Sequence, residues 1–290
     1  MINCSIVIWR YLITRHWRSE PNDYWSIFML DIQQIKEAYP NHLQAFERSL
    51  FREYLQYKVL QALFESKLAS KITFIGGTAL RIVYGNHRFS EDIDLDNFGL
   101  SGDEFDLIAQ SVQRQLELEG FEVEITKVEK GAYHCRIKFP ELLYEQGLST
   151  IQQEKLIIKL DTITQGYEYQ PDIRIINKFD VFSEIRVAPL SILLSQKIFT
   201  SINRKRPKGK DFYDITYLFS MTNPDYGFLK LKMGTETDEQ LRTEYLERIK
   251  NFNFIQLADD VAPFLISQDQ KKRVEKFQEF WEQVDLKLVK

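Results

Sequence analysis

Only two cysteines occur in 290 residues, Cys4 and Cys135, far apart and in no metal-ligand spacing. That excludes a disulfide framework and a thiolate metal site, and makes a reducing cytoplasm the expected compartment. No apolar run approaches the roughly 20 residues that a membrane-spanning helix needs, so no membrane partner is expected. Glycine (12) and proline (8) are too sparse for a collagen-like or low-complexity chain. The histidines, His16, His42, His87 and His134, show no His-x-x-x-His or Glu-x-x-His pattern, and there is no Gly-x-Ser-x-Gly elbow. Basic charge is not in excess either. With 38 basic and 42 acidic side chains the net charge is -4, so any nucleic-acid contact must come from a local patch.

What is present is ordinary soluble-protein composition, 44% hydrophobic and 28% charged. A chain of about 300 residues buries roughly 75% of its unfolded surface, enough for a full core. The length gives a prior of about two structural units. Residues 1–28 contain Trp9, Trp17 and Trp25, and the short run Ile6–Trp9 is followed, not preceded, by Arg10, Arg15 and Arg18. That is the wrong charge order for a secretory signal. The stretch reads as an accessory segment, with Met29 as the natural start of the folded part.

From Asp31 the pattern is helical: Leu43, Phe46, Leu50, Tyr54, Tyr57, Leu60, Leu63 and Phe64 recur largely at three- and four-residue steps. A short strand is predicted over Ile72–Ile75, then a helix over 78–84 closed by Gly85, then a strand over Asp92–Asp96. Ser101 and Glu104 form a capping box for a helix burying Phe105, Ile108, Val112 and Leu116 and stopping at Gly120. Strands are predicted over 121–125, 133–139 and 156–163, and a single strand over 173–182. Pro189, at its tolerated first helical position, opens helices over 189–203, 210–222, 238–251, 254–266 and 269–288. The last carries Val274, Phe277, Trp281, Val284 and Leu288 on one face. Strands first and helices second imply an α+β fold. A mixed-sheet core with flanking helices is expected over 29–187 and a helical C-terminal domain over 188–290.

The residues with most chemistry are Gly76-Gly77-Thr78 and Arg88-x-Ser90-x-Asp92-Ile-Asp94. Alternation on a strand projects Asp92 and Asp94 together, about 6.7 Å apart along the backbone. Two like charges about 4 Å apart cost roughly 4 kcal/mol at an effective dielectric of about 20. A divalent cation reverses that sign, and carboxylate oxygens suit Mg²⁺. The glycines allow close backbone approach and leave amide donors for phosphate. No Gly-Lys-[Ser/Thr] closes the turn, so this is not a P-loop. The combination resembles the nucleotidyltransferase superfamily signature. That pattern requires a third carboxylate on a later strand, and Asp161, on the same strand face as Lys159, is the candidate. Three carboxylates around metal would serve in-line displacement at the α-phosphorus of a nucleoside triphosphate.

A second constellation follows Pro189. Lys197 interrupts an otherwise apolar helix and is expected to reach the triphosphate. Arg204, Lys205, Arg206, Lys208 and Lys210 place five cations in seven positions, the first four expected to hold an RNA backbone. Asp211 and Asp214, three apart, share a face of the next helix.

Together these motifs resemble the AbiEii/AbiGii toxin family of nucleotidyltransferases over residues 29–222. The resemblance implies a nucleotidyltransferase core with a helical domain. It also implies Mg²⁺-dependent transfer from an NTP to RNA, at the tRNA 3′ end, and an AbiEi-type antitoxin as partner. By position Ser90, Asp92 and Lys197 match residues important for that activity, and Asp211 or Asp214 matches a later functional aspartate. The implied catalytic set is Asp92, Asp94, Asp161, Lys197 and Asp211, the first three holding metal. Gly76, Gly77, Thr78, Arg88, Ser90, Lys159, Lys210 and Asp214 are implied to hold nucleotide. Lys210-Asp211 stands where the family commonly has Arg-Asp, which keeps the charge but weakens bidentate phosphate contact. A small-molecule nucleotidyltransferase would use the same metal site without needing the basic run. A purely nucleotide-binding module would not need Asp92, Asp94 and Asp161 intact.

Overall fold

The structure is a computed structural model that describes residues 29–129 and 133–286. The accessory-segment reading of residues 1–28 and the assignment of Leu288 lie outside the described residues. Seven strands form one mixed sheet: β1 (Ile72–Ile75), β2 (Ile93–Asn97), β3 (Glu124–Glu129), β4 (Tyr133–Phe139), β5 (Leu156–Ile163), β6 (Asp172–Lys178) and β7 (Val181–Val187). Their order is β3-β4-β5-β2-β1-β7-β6. β2 runs parallel to β5 and β1 parallel to β7, while the other neighbours are antiparallel.

The first five helices are α1 (Ile32–Glu37), α2 (Glu47–Phe64), α3 (Gly76–Ile82), α4 (Gly102–Leu118) and α5 (Leu142–Glu145). The α4 capping box forms as its sequence dictates, Ser101 and Glu104 each accepting from the other's backbone N–H. Phe105, Ile108, Val112 and Leu116 of α4 then join Leu50, Tyr54 and Leu60 of α2 in a core with one face of the sheet. Cys135, Ile137 and Phe139 of β4 and Leu156, Ile158 and Leu160 of β5 supply that face. Their alternate neighbours point the other way, and that is where the charged residues lie.

The helical C-terminal part comprises α6 (Leu190–Asn203), α7 (Gly209–Leu218), α8 (Tyr226–Met233), α9 (Asp238–Ile249), α10 (Phe254–Val261), α11 (Lys272–Glu275) and α12 (Phe277–Gln283). It has its own core from Ala188 to Leu286, joined by Ile75 and Leu80 from the sheet region. No described helix is long and apolar enough to cross a membrane.

Several expectations need correction. The single strand over 173–182 is a hairpin, with Lys178 paired to Val181 and only Phe179 and Asp180 in the turn. Phe179 adopts φ +59°, unusual for an aromatic residue, while its ring packs edge-on to Tyr54 and Tyr57. Tertiary packing sets that turn, so no glycine or asparagine marks it. α8 was not expected; Asp225 caps it by accepting from the Phe228 N–H, and Gly234 ends it at φ +76°. The helix expected over 269–288 breaks at Lys276 (φ -100°, ψ 20°), although Val274, Phe277 and Trp281 stay buried. Phe121 and Val123 are buried ahead of β3 rather than within it. α3 begins at Gly76, and Pro189 is the residue preceding α6 rather than its first.

Gly209 shows how tightly the helices meet. A Cβ there would lie 1.8 Å from the Leu257 carbonyl oxygen, a backbone atom that cannot swing away. Gly209→Ala is expected to lower stability by about 1–3 kcal/mol, the usual range for overpacking, measured by urea denaturation. An unchanged midpoint would contradict the packing.

Candidate active site

The strand register builds the carboxylate row. Asp94 of β2 lies between Ile75 of β1 and Asp161 of β5, so the two carboxylates are side by side on one face. Asp92 immediately precedes β2, and its Oδ1 lies 3.5 Å from Lys159 Nζ. Asp161 Oδ1 lies 2.8 Å from Nδ1 of His134, its cross-strand partner on β4. Among the described residues no cation lies this close to Asp94. Burial raises its pKa to about 6; the Lys197 charge opposes that rise, and Asp161 and Asp92 add to it.

The glycine turn is shaped around this row. Gly76 has φ +80°, and a Cβ there would sit 2.1 Å from Asp94 Oδ2. A Cβ on Gly77 would sit 2.5 Å from Arg88 Nη2 and 3.0 Å from Ser90 Oγ. Thr78 is buried and its hydroxyl donates to the Asp92 carbonyl, holding the start of β2. Half-buried Ser90 accepts at its carbonyl from Gln56 Nε2 at 3.0 Å.

Behind the row lies a buried ionic network. Arg88 grips Asp214 with two charge-assisted bonds, Nε to Oδ1 at 2.7 Å and Nη2 to Oδ2 at 2.5 Å. Asn86 Nδ2 donates to the same carboxylate at 2.8 Å. Lys197 Nζ lies 2.9 Å from Asp214 Oδ2 and 3.0 Å from Asp211 Oδ1. Arg204 Nε is 3.4 Å from Asp211 Oδ2. Burial works against charge on Asp214, yet Arg88 and Lys197 override it and hold the carboxyl below its ordinary value. Burial likewise disfavours the Lys197 ammonium, but Asp214 and Asp211 keep it above the usual lysine range.

Direct nucleotide contact was expected of Arg88, Asp214 and Thr78. The fold instead buries all three: Arg88 and Asp214 are occupied with each other, and Thr78 with the β2 backbone. The basic run divides. Arg204, Lys205 and Arg206 are exposed and Lys208 is half-buried. Lys210 sits 4.2 Å from the Phe264 ring centroid, and burial, with the Arg88 charge, lowers its pKa.

Three residues escaped sequence reading. Asp96 continues the Asp92–Asp94 alternation but is buried, accepting from the Gln165 N–H at 3.0 Å and the Tyr169 hydroxyl at 2.9 Å. His134 reaches Asp161 only through the β4–β5 register. Asn86 carried no distinguishing signal.

Among the described residues no three His, Cys, Asp or Glu side chains are drawn together as a metal cluster. The donor chemistry nonetheless fits Mg²⁺: Asp92, Asp94 and Asp161 offer hard oxygens, and the elevated pKa of Asp94 marks negative charge that a divalent cation would relieve.

Two stability outcomes follow from these charges. The unfolded state ionises Asp94 at the lower, ordinary carboxyl pKa, so the folded state loses stability as pH rises from about 4 to about 6. Without metal, Asp94→Asn is expected to be more stable than wild type above pH 6, by up to about 3 kcal/mol, and equal to it at pH 4. Arg88→Met leaves Asp214 without its main partner and is expected to cost about 3–5 kcal/mol, seen as a lowered Tm. A loss under about 1 kcal/mol would contradict the buried pairing.

The sequence matches the family described as "Nucleotidyl transferase AbiEii toxin, Type IV TA system" over residues 58–283. No curated protein matches it. The fold is similar to the crystal structure of JHP933 from Helicobacter pylori, with TM-score 0.50 and 15% identity over 81% of this chain and 92% of that one. A second H. pylori structure gives TM-score 0.49 and 16% identity over 81% and 95%. An antigenic nucleotidyltransferase-like protein from Paracoccidioides brasiliensis gives 0.42 and 15% over 72% and 93%. The family match spans the glycine turn, the aspartate row and the network around Lys197, and the chain belongs to the AbiEii family of nucleotidyl transferase toxins of type IV toxin–antitoxin systems.

Proposed function

We propose that the chain transfers a nucleoside monophosphate from an NTP to an RNA acceptor, the 3′ end of tRNA, with release of pyrophosphate. In this reading an AbiEi-type antitoxin restrains it in the cytoplasm. The observation that carries the chemistry is the in-register pair Asp94 and Asp161, with Asp92 beside them and the Lys197 charge acting on Asp94.

Asp92, Asp94 and Asp161 would hold magnesium, which supplies a lowered pKa for the attacking hydroxyl and neutralises charge on the phosphates. The acceptor oxygen bonds to the α-phosphorus as the bond to the bridging oxygen breaks, and pyrophosphate leaves. Lys197, held in its charged form, stabilises negative charge on the transferring or leaving phosphates. Arg88 and Asp214 act through Lys197 as positioning residues. Lys159, half-exposed beside Asp92, would meet the nucleotide. RNA, rather than a small acceptor, is favoured by the exposed cations Arg204, Lys205 and Arg206 on a net-acidic chain.

The test is incubation of purified protein with total tRNA and each labelled NTP, with and without Mg²⁺. Label at the tRNA 3′ end is expected from wild type in Mg²⁺ and none from Asp92→Ala. Lys197→Met, which keeps the stem and removes the charge, should slow transfer by about 10²–10³. Failure to label RNA with any of the triphosphates, or wild-type rates from Asp92→Ala, would overturn the reading.

A further inference from the structure

The sheet face that bears the carboxylates is not covered evenly. Towards β1 the helical layer closes over it, and Ile75 is buried in the helical core. Towards β5, β4 and β3 it is open: Thr126, Arg136 and Lys159 are all exposed on it. The register there sets Arg136 directly opposite Lys159 across β4 and β5, with Thr126 on its other side. Along β4 Arg136 is flanked by His134, which faces Asp161, and by Lys138, which faces Glu124, so the two carboxylates diagonal to it are each set opposite another basic residue. Among the described residues no carboxylate pairs with Arg136.

Like charges directly opposite one another on adjacent strands destabilise a sheet. Neighbouring strands are about 4.8 Å apart, so the Arg136–Lys159 pair forms a strip of positive potential one to two strands from Asp94. Lys159 is partly offset by Asp92 at 3.5 Å, whereas among the described residues Arg136 makes no close ion pair. A strip of this kind, beginning at the reaction centre and running across an open face, is complementary to a phosphate backbone.

We propose that the open β5–β4–β3 face is the track of the RNA acceptor. Arg136, with Lys138 beyond it, contacts backbone phosphates of the single-stranded end whose terminal hydroxyl reaches the carboxylates. The inference rests on the RNA-transfer reading above and adds a surface distinct from the 204–208 run. Contact is to phosphate and therefore independent of base identity.

The test compares wild type with Arg136→Gln and with Arg136→Gln/Lys138→Gln. The probes are a short labelled single-stranded oligoribonucleotide, polyglutamate as a mimic of an acidic protein segment, and an NTP in Mg²⁺. Weaker RNA binding is expected, with the log–log salt slope reduced by about 0.7 for each cation removed and NTP affinity unchanged. The Tm of Arg136→Gln should stay close to that of wild type, because no ion pair of the described residues is lost and the like charge opposite Lys159 is removed; a clearly lower Tm would show a structural partner and overturn the assignment. Unchanged RNA slopes in both variants would overturn it too, as would loss of polyglutamate binding with RNA binding intact. Transfer to tRNA with an unchanged slope would sink only this surface. A reduced slope without any transfer would uphold the surface and remove the RNA-transfer reading.

Discussion

The buried network of Arg88, Asp214, Lys197 and Asp211 is the constraint on which the rest of the site depends. Arg88 comes from the connection between α3 and β2, Lys197 from α6, and the two aspartates from one face of α7. Two cations and two anions are thus removed from water together, each within hydrogen-bond distance of an opposite charge. Burying any one alone would cost several kcal/mol, so the set is stable only when the helical layer and the sheet meet in a single arrangement. That arrangement fixes Lys197 relative to Asp94.

In front of the network the balance reverses. Asp92, Asp94 and Asp161 crowd negative charge onto one sheet face, and two of them turn to nearby bases, Lys159 and His134. Asp94, between its neighbours and pressed against Gly76, has its ionised form favoured by the more distant Lys197 charge and, less strongly, by Arg204, and its pKa remains high. A site with excess negative charge in front and a fixed ammonium behind is suited to a metal-bound triphosphate, whose own charges complement both. The same geometry explains both glycines without appeal to phosphate: side chains at Gly76 and Gly77 would strike Asp94 and Arg88.

Much of this was legible in the sequence where local rules dominate. β5 follows from alternation, β1 from a short buried run closed by a glycine pair, and the Ser101–Glu104 capping box placed the start of α4. The pairing of Asp92 with Asp94 on one face needs only the strand period. The unreadable parts depend on register or packing. That His134 meets Asp161 and that Arg136 opposes Lys159 are consequences of how β4 slides along β5. Phe179 holds a left-handed turn because three tyrosines surround its ring, and a sequence scan for glycine or asparagine passes over it. Arg88 and Asp214 were visible as charged residues, but their union across 126 positions was not. The run Arg204 to Lys208 looks uniform in sequence, whereas in the fold Arg204 is tied to Asp211 and the next two residues project outward.

The coupling between the fixed ammonium and the carboxylate row is measured most directly by titrating Asp94 through its side-chain carboxyl carbon by NMR, without metal, in wild type and Lys197→Met. A pKa of about 6 in wild type is expected to climb when the Lys197 charge is removed, because that charge is the largest influence lowering it. An ordinary carboxyl pKa in wild type, or a value that does not move in Lys197→Met, would contradict the coupling.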